Sequence, residues 1–205
     1  MRLILTRHGR TPQNEMGIIQ GHMDTVLSEE GISQAKRLSE RLKKEKISAI
    51  YSSDLKRAVQ TAEIIAENHP NLKPQAIRDF REVDFGRLDG KHKSEADWKN
   101  PPPDMESRKS SMARAKKVLD WLYERHRNQT VVLVGHGGIN RAMISVIFGR
   151  DEEHMNSLPG QYNTAVNIFD IEEDSNHKVH LMNCVEHLGG EKNYLKKTGT
   201  ERKVI

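Results

Sequence analysis

Apolar residues fall in two rhythms along this chain. Short continuous runs, Leu3–Leu5 in "RLILT" and Val131–Val134 in "TVVLVG", read as strands buried on both faces. Elsewhere apolar residues recur every three or four positions. Ile32, Ala35, Leu38 and Leu42 share one helical face in "LSEEGISQAKRLSERLKK". Ser28 is the expected N-cap of that helix, with Glu29 and Glu30 in its first turn and Lys43 and Lys44 in its last. "ISAIYSS" reads as a second strand. "DLKRAVQTAEIIAEN" is a second helix with a stripe of Leu55, Ala58, Val59, Ala62, Ile65 and Ala66. A third helix, over about Ser110 to Arg127, turns Ala115, Val118, Leu119 and Leu122 inward, and "GGINRAMISVIFG" makes a fourth. "NTAVNIFDIEE" and "KVHLMNCVEH" are two late strands. Residues 74–103 lack a clear period, and "NPPPD" requires an extended loop.

Strands and helices therefore alternate through most of the chain. That order implies an α/β fold: a three-layer α/β/α sandwich around a mostly parallel sheet. One domain is expected over residues 1–188, followed by a polar, basic and frayed tail over 189–205.

Composition narrows the partners. The net charge is +4, from 33 basic and 29 acidic residues. Such mixed charge argues against a nucleic-acid partner but allows a local cationic pocket. The few charges of the tail alone would bind nucleic acid weakly and in a salt-sensitive way. Cys184 is the only cysteine, so neither an intramolecular disulfide nor a zinc-type cysteine spacing is available. The first apolar run is too short for a signal peptide, and no stretch is long enough to span a membrane. A cytoplasmic protein without membrane contact is expected, as a monomer or homodimer.

Ligands of such sheets bind beyond the carboxyl ends of the strands. Arg7, His8 and Gly9 follow the first strand. Ser52 and Ser53 follow the second, with Arg57 in the next helix. His136 lies in "GHGG" after the strongest strand, at a helix N-terminus. Taken singly, Arg57 reads as an exposed helix charge and His136 as a hydrogen-bonded structural histidine. "GHGG" alone reads as a tight turn, and it lacks the third glycine of a dinucleotide loop. Taken together, two arginines, two histidines and the unpaired N–H groups of a helix N-terminus suit a phosphate dianion.

With "TRHGRTPQN", "QGHMDTVLSEEGISQA", "YSSDLKRAVQTA", "REVDFGRLDG", "VLVGHGG" and "NTAVNIF", the chain resembles the histidine phosphatase superfamily, in its phosphoglycerate-mutase-like branch. The motifs run from about Arg2 to Leu188. The resemblance implies that His8 is the nucleophile taking the phosphoryl group. Arg7, Arg57 and His136 would bind its oxygens, and Glu82 would donate and accept the proton. Asn14, Gln20, Gly21 and Gly137 would line the phosphate and substrate site. Without the resemblance, Glu82 reads as a surface loop carboxylate.

The chemistry fits these residue types. Attack on phosphorus needs a neutral imidazole, and the neighbouring Arg7 and Arg57 disfavour its protonation. The same cations offset charge on the transferring group. A carboxylic acid then protonates the leaving oxygen, and its carboxylate activates water in the second step. No metal and no cofactor are expected.

The expected activity is a phosphatase of the histidine acid phosphatase type, acting on a small phosphorylated metabolite. Three features favour hydrolysis. Gly138 stands where family mutases tend to carry asparagine. The segment from Lys91 to Arg108 is short, leaving little chain for a lid. "DMES" with Arg114 downstream resembles a pattern common among the phosphatases, with Met105 in place of glycine. A 2,3-bisphosphoglycerate-dependent mutase is the alternative, faintly echoed by "GKHKSEADWKNPPPD" with Lys93 and Lys99. A non-catalytic phosphate-binding module is the alternative of another class. Arg10 stands where the family usually has an acidic residue, so it is either a rim cation selecting more negative substrates or a solvent-facing charge.

Overall fold

The computed structural model describes residues 1–189; all but the first residue of the expected tail lie outside the described residues. Six strands form one sheet: β1 (Arg2–Arg7), β2 (Ile47–Ser52), β3 (Gln75–Ala76), β4 (Thr130–Gly135), β5 (Val166–Asp170) and β6 (Lys178–Cys184). Their order is β3-β2-β4-β1-β5-β6. The β3–β2, β2–β4 and β4–β1 pairs are parallel, while β5 and β6 close the other edge antiparallel.

Five α-helices accompany the sheet: α1 (Pro12–Glu15), α2 (Glu29–Leu42), α3 (Lys56–Ala66), α4 (Arg108–Arg125) and α5 (Gly137–Ile147). Alternating side chains of the central strands divide the core in two. Ile4, Ile50, Val132 and Val134 pack on Leu38 and Leu42 of α2 and on Ala58, Ala62 and Ile65 of α3. Leu3, Leu5, Val131 and Leu133 pack on the opposite face, against Ala115, Val118, Leu119 and Leu122 of α4 and Ile139, Ala142 and Met143 of α5. The sheet is thus covered on both faces, which is why its central strands are continuously apolar.

Several local expectations need correction. Ile32 is exposed rather than inward. The buried face of α2 is rotated to include Gly31, which packs on the Arg10 carbonyl, and Gln34 and Ser39, which bond outside the helix. Gln34 Oε1 accepts the Arg10 N–H, and Ser39 Oγ donates to the Ile65 carbonyl. Helix α2 ends at Leu42, with Lys43 as its C-cap rather than in the last turn. Helix α4 starts at Arg108, not about Ser110, because Ser107 caps it by accepting the Ser110 N–H. Helix α1, with Pro12 at its start and a reciprocal Thr11–Asn14 capping box, was not anticipated. Neither was β3, which is only two residues long. The aperiodic segment holds three short 3₁₀ turns, at Arg78–Phe80, Gly86–Leu88 and Lys93–Glu95.

Gly31 fixes how α2 meets the loop after β1. A Cβ there would overlap the Arg10 carbonyl, which also accepts the Ser28 N–H at 2.9 Å. The obstacle is backbone and has little freedom to yield. Gly31→Ala should therefore cost about 1–3 kcal/mol of stability, the usual range for overpacking. Urea unfolding checks this, and an unchanged midpoint would contradict the packing.

Candidate active site

The register of β1 and β4 builds the site. Arg7 pairs with Gly135, so His8 and His136 leave the sheet side by side. Their ring centroids are 5.1 Å apart. Strand β2 runs parallel on the far side of β4, with Ser52 opposite Val134, and delivers the chain to α3 and Arg57. All three groups thus emerge at the carboxyl ends of adjacent parallel strands.

His8 is almost fully buried, at 2% exposure, and its backbone is held on both sides. Its N–H donates to Gly135, and its carbonyl accepts from Asn163 Nδ2. The ring Nδ1 lies 2.7 Å from the Gly9 carbonyl oxygen. A carbonyl only accepts, so Nδ1 carries the hydrogen and Nε2 presents its lone pair. Burial, then the charges of Arg57 and Arg7, hold the His8 pKa well below the usual histidine range. Sequence reasoning named the arginines as the cause of this neutrality; desolvation is the larger one.

His136 is fully buried. Its Nδ1 accepts from Arg57 Nε at 3.2 Å, which puts the hydrogen on Nε2. That Nε2 is buried without a partner among the described residues. Burial, followed by Arg57, His8, Arg7 and His22, also pushes the His136 pKa well below its ordinary value.

Arg57 is 1% exposed, not the surface charge its helix position suggests. Its Nη1 donates to the Met23 carbonyl and Thr25 Oγ1, and its Nη2 to the Gly21 carbonyl. With the bond to His136, four of its five N–H donors are engaged, leaving one on Nη2. Burial lowers its pKa to about 10, so it remains charged at neutral pH. Arg7 donates from Nη1 to the Gln161 carbonyl at 2.7 Å, while its Nε is buried without a partner among the described residues. Gly21 therefore enters the site through its carbonyl, as a brace for Arg57.

Two amides are fixed so that their NH₂ groups remain as donors. Gln20 Oε1 accepts from the hydroxyls of Thr11 and Thr25. Asn14 Oδ1 accepts from the Thr11 N–H and from Asn163 Nδ2. Asn163, Thr11 and Thr25 were not singled out in the sequence. Their only signal lies in the motifs that contain them: "NTAVNIF" for Asn163, "TRHGRTPQN" for Thr11 and "QGHMDTVLSEEGISQA" for Thr25.

Glu82 is buried, at 8% exposure, rather than a surface carboxylate. Its Oε1 accepts the N–H groups of Val83, Gly138 and Ile139 at 2.9–3.0 Å, and its Oε2 accepts Gly138 N–H at 3.1 Å. The N-terminus of α5, expected to await a phosphate, is thus largely taken by this carboxylate. The Glu82 carbonyl accepts from His22 Nε2 at 2.8 Å and Arg114 Nη2 at 3.3 Å. Arg114 also pairs with Glu106 and donates to the carbonyls of Asp79 and Arg81. These contacts fix an otherwise irregular segment. Gly137, the first residue of α5, lies beside both groups: its Cβ would sit 3.7 Å from the Arg7 guanidinium and 3.8 Å from Glu82 Oε2.

Arg10, Lys93 and Lys99 are exposed. Among the described residues, no group of three or more His, Cys, Asp or Glu could hold a metal ion, and no helix is long and apolar enough to cross a membrane.

Comparison with known proteins extends the geometry. The family model for the histidine phosphatase superfamily (branch 1) matches residues 3–184. Phosphoserine phosphatase 1 of Hydrogenobacter thermophilus is 36% identical, over 92% of this chain and 95% of its own length. Phosphoglycerate mutase-like protein 4 of Arabidopsis thaliana is 33% identical, over 91% of this chain and 86% of its own. The solved structure of an Entamoeba histolytica phosphoserine phosphatase mutant in complex with phosphoserine superposes with a TM-score of 0.81 at 27% identity, covering 91% of this chain and 98% of that one.

Two histidines buried in the neutral form make stability depend on pH. Unfolding frees each to bind a proton below its unfolded pKa of about 6.5. Their contribution is complete above that pH and is lost as pH falls, by up to about 1.4 kcal/mol per unit for each histidine. Between pH 7 and pH 5 the stability of the wild type should fall more steeply than that of His136→Gln. Urea titrations across that range test this, and equal slopes would contradict it.

Proposed function

The chain belongs to the histidine phosphatase superfamily, and within it we propose that His8 is the nucleophile of a phosphomonoester hydrolase working through a phosphohistidine. The observation that carries this reading is the 2.7 Å bond from His8 Nδ1 to the Gly9 carbonyl. It fixes the tautomer whose Nε2 lone pair attacks, with no proton to remove first.

In the first step Nε2 bonds to phosphorus and the P–O bond to the leaving group breaks. Arg7 Nε, the free Nη2 hydrogen of Arg57 and the Nε2–H of His136, unpaired among the described residues, donate to the phosphoryl oxygens, joined by the amides of Asn14 and Gln20. Donors held in place before charge develops need no reorganisation during transfer. Glu82 protonates the departing oxygen. In the second step water attacks phosphorus, Glu82 takes its proton, the N–P bond breaks and inorganic phosphate leaves. His8 returns to its starting tautomer.

We assign the substrate to small phosphorylated acids, a class supported by the phosphoserine relative. Hydrolysis is favoured over mutase chemistry because residues 91–101, the segment that would supply a lid, are almost wholly exposed rather than packed down as a cover. The acid-phosphatase-type assignment is part of the same proposal, resting on the neutral, buried nucleophile.

Rapid quench with phosphorus-labelled p-nitrophenyl phosphate tests the nucleophile. An adduct stable in base and labile in acid should form on the wild type and be absent from His8→Ala. An undiminished adduct on His8→Ala would overturn the assignment.

A further inference from the structure

We infer that Gly138 is a positioning residue for Glu82: the missing side chain leaves the seat in which Oε1 docks on the first turn of α5, so that Oε2 is the oxygen that carries the transferred proton. This inference rests on the reading of Glu82 as the general acid.

Position 138 holds glycine for a reason of space. Its φ is not among the positive values that favour glycine, so the backbone does not demand it. It lies one residue inside α5, where alanine would suit the helix better. Space is the remaining reason. A Cβ at 138 would lie 2.6 Å from Glu82 Oε1 and 2.8 Å from Val83 Cγ2. Both contacts are with side-chain ends, not backbone. A substitution would therefore displace the carboxylate rather than break the fold. Gly137, next in the chain, differs. A Cβ there meets the Arg7 guanidinium and Glu82 Oε2 only at ordinary contact distances of 3.7–3.8 Å.

The docked pose divides the two carboxylate oxygens. Oε1 accepts three backbone N–H groups, from Val83, Gly138 and Ile139. Its lone pairs are occupied, and a proton there would have to displace a donor. Among the described residues, Oε2 accepts only a shared, longer bond from Gly138. It is also the oxygen that faces the Cα of Gly137 on the side where the Arg7 guanidinium lies. Oε1 thus anchors the group, and Oε2 is left to hold and deliver the proton beside the phosphate donors. The carbonyl bonds from His22 and Arg114 hold the backbone that carries the group.

Two measurements on purified protein test the seat. The first is single-turnover cleavage of an alkyl substrate, phosphoserine, and of p-nitrophenyl phosphate, whose leaving group departs without a proton. Glu82→Gln should slow the alkyl substrate by about 10²–10⁴-fold, and the aryl substrate far less. Gly138→Ala should reproduce that selectivity in part, slowing the alkyl substrate at least about tenfold more than the aryl one. Gly137→Ala should move both rates together. If Glu82→Gln is selective but Gly138→Ala is not, the seat is wrong and the general acid stands. If Glu82→Gln is not selective, the reading of Glu82 fails and the inference with it.

The second measurement does not use activity. Gly138→Ala should lower the unfolding midpoint clearly less in a Glu82→Ala background than in the wild type, because the displaced carboxylate is gone. Additive effects would overturn the seat.

Discussion

Two guanidinium groups, Arg7 and Arg57, are held at the sheet's carboxyl edge by backbone carbonyls instead of by ion-paired carboxylates. Gly21, Met23 and Gln161 supply those carbonyls. Burying a charge costs several kcal/mol unless it is well solvated by the protein. Carbonyl dipoles offset part of that cost and leave the charge uncancelled. Glu82, the carboxylate that acts most strongly on both, is docked on backbone N–H groups. The site is therefore short of negative charge, which suits an anionic ligand. The same field, acting on rings already desolvated, keeps His8 and His136 neutral. The field that would favour an anion thus adds to desolvation in keeping the two rings neutral.

That arrangement depends on the sheet more than on any single loop. The β1–β4 register places two histidines in adjacent positions, and β2 beyond β4 delivers Arg57 beside them. Hydrogen bonds then lock the loops. Thr61 Oγ1 accepts the Gly9 N–H and donates to the Arg57 carbonyl, tying the loop after β1 to α3. Asn163 ties the same loop to Asn14. Preorganisation of this kind comes from a polar network anchored on a rigid apolar sheet.

Much of this was legible in the chain. "LIL" and "VVLV" are apolar throughout because both faces of the sheet are covered, and the helical stripes of α3 and α4 follow from packing on one side. Residues just past strand ends could be picked out because parallel sheets direct ligands there. Ile32 misled because α2 turns polar Gln34 and Ser39 inward to bond specific backbone groups, which a count of apolar residues does not detect. Glu82 was legible only through family resemblance. It sits in a stretch of 3₁₀ turns with no period, and its place is set by α5, His22 and Arg114, which are distant in sequence. Gly138 had a sequence signal only as a family contrast. The close approach that gives it meaning is visible only in three dimensions.

The Gly9 carbonyl sets the His8 tautomer. Long-range proton–nitrogen NMR of the ligand-free protein, with histidine nitrogens labelled and His8 assigned by His8→Ala, measures this directly. At pH 7 the His8 ring should be neutral, with hydrogen on Nδ1 and a pyridine-like Nε2. A protonated Nε2, in either an imidazolium ring or the opposite tautomer, would contradict the account.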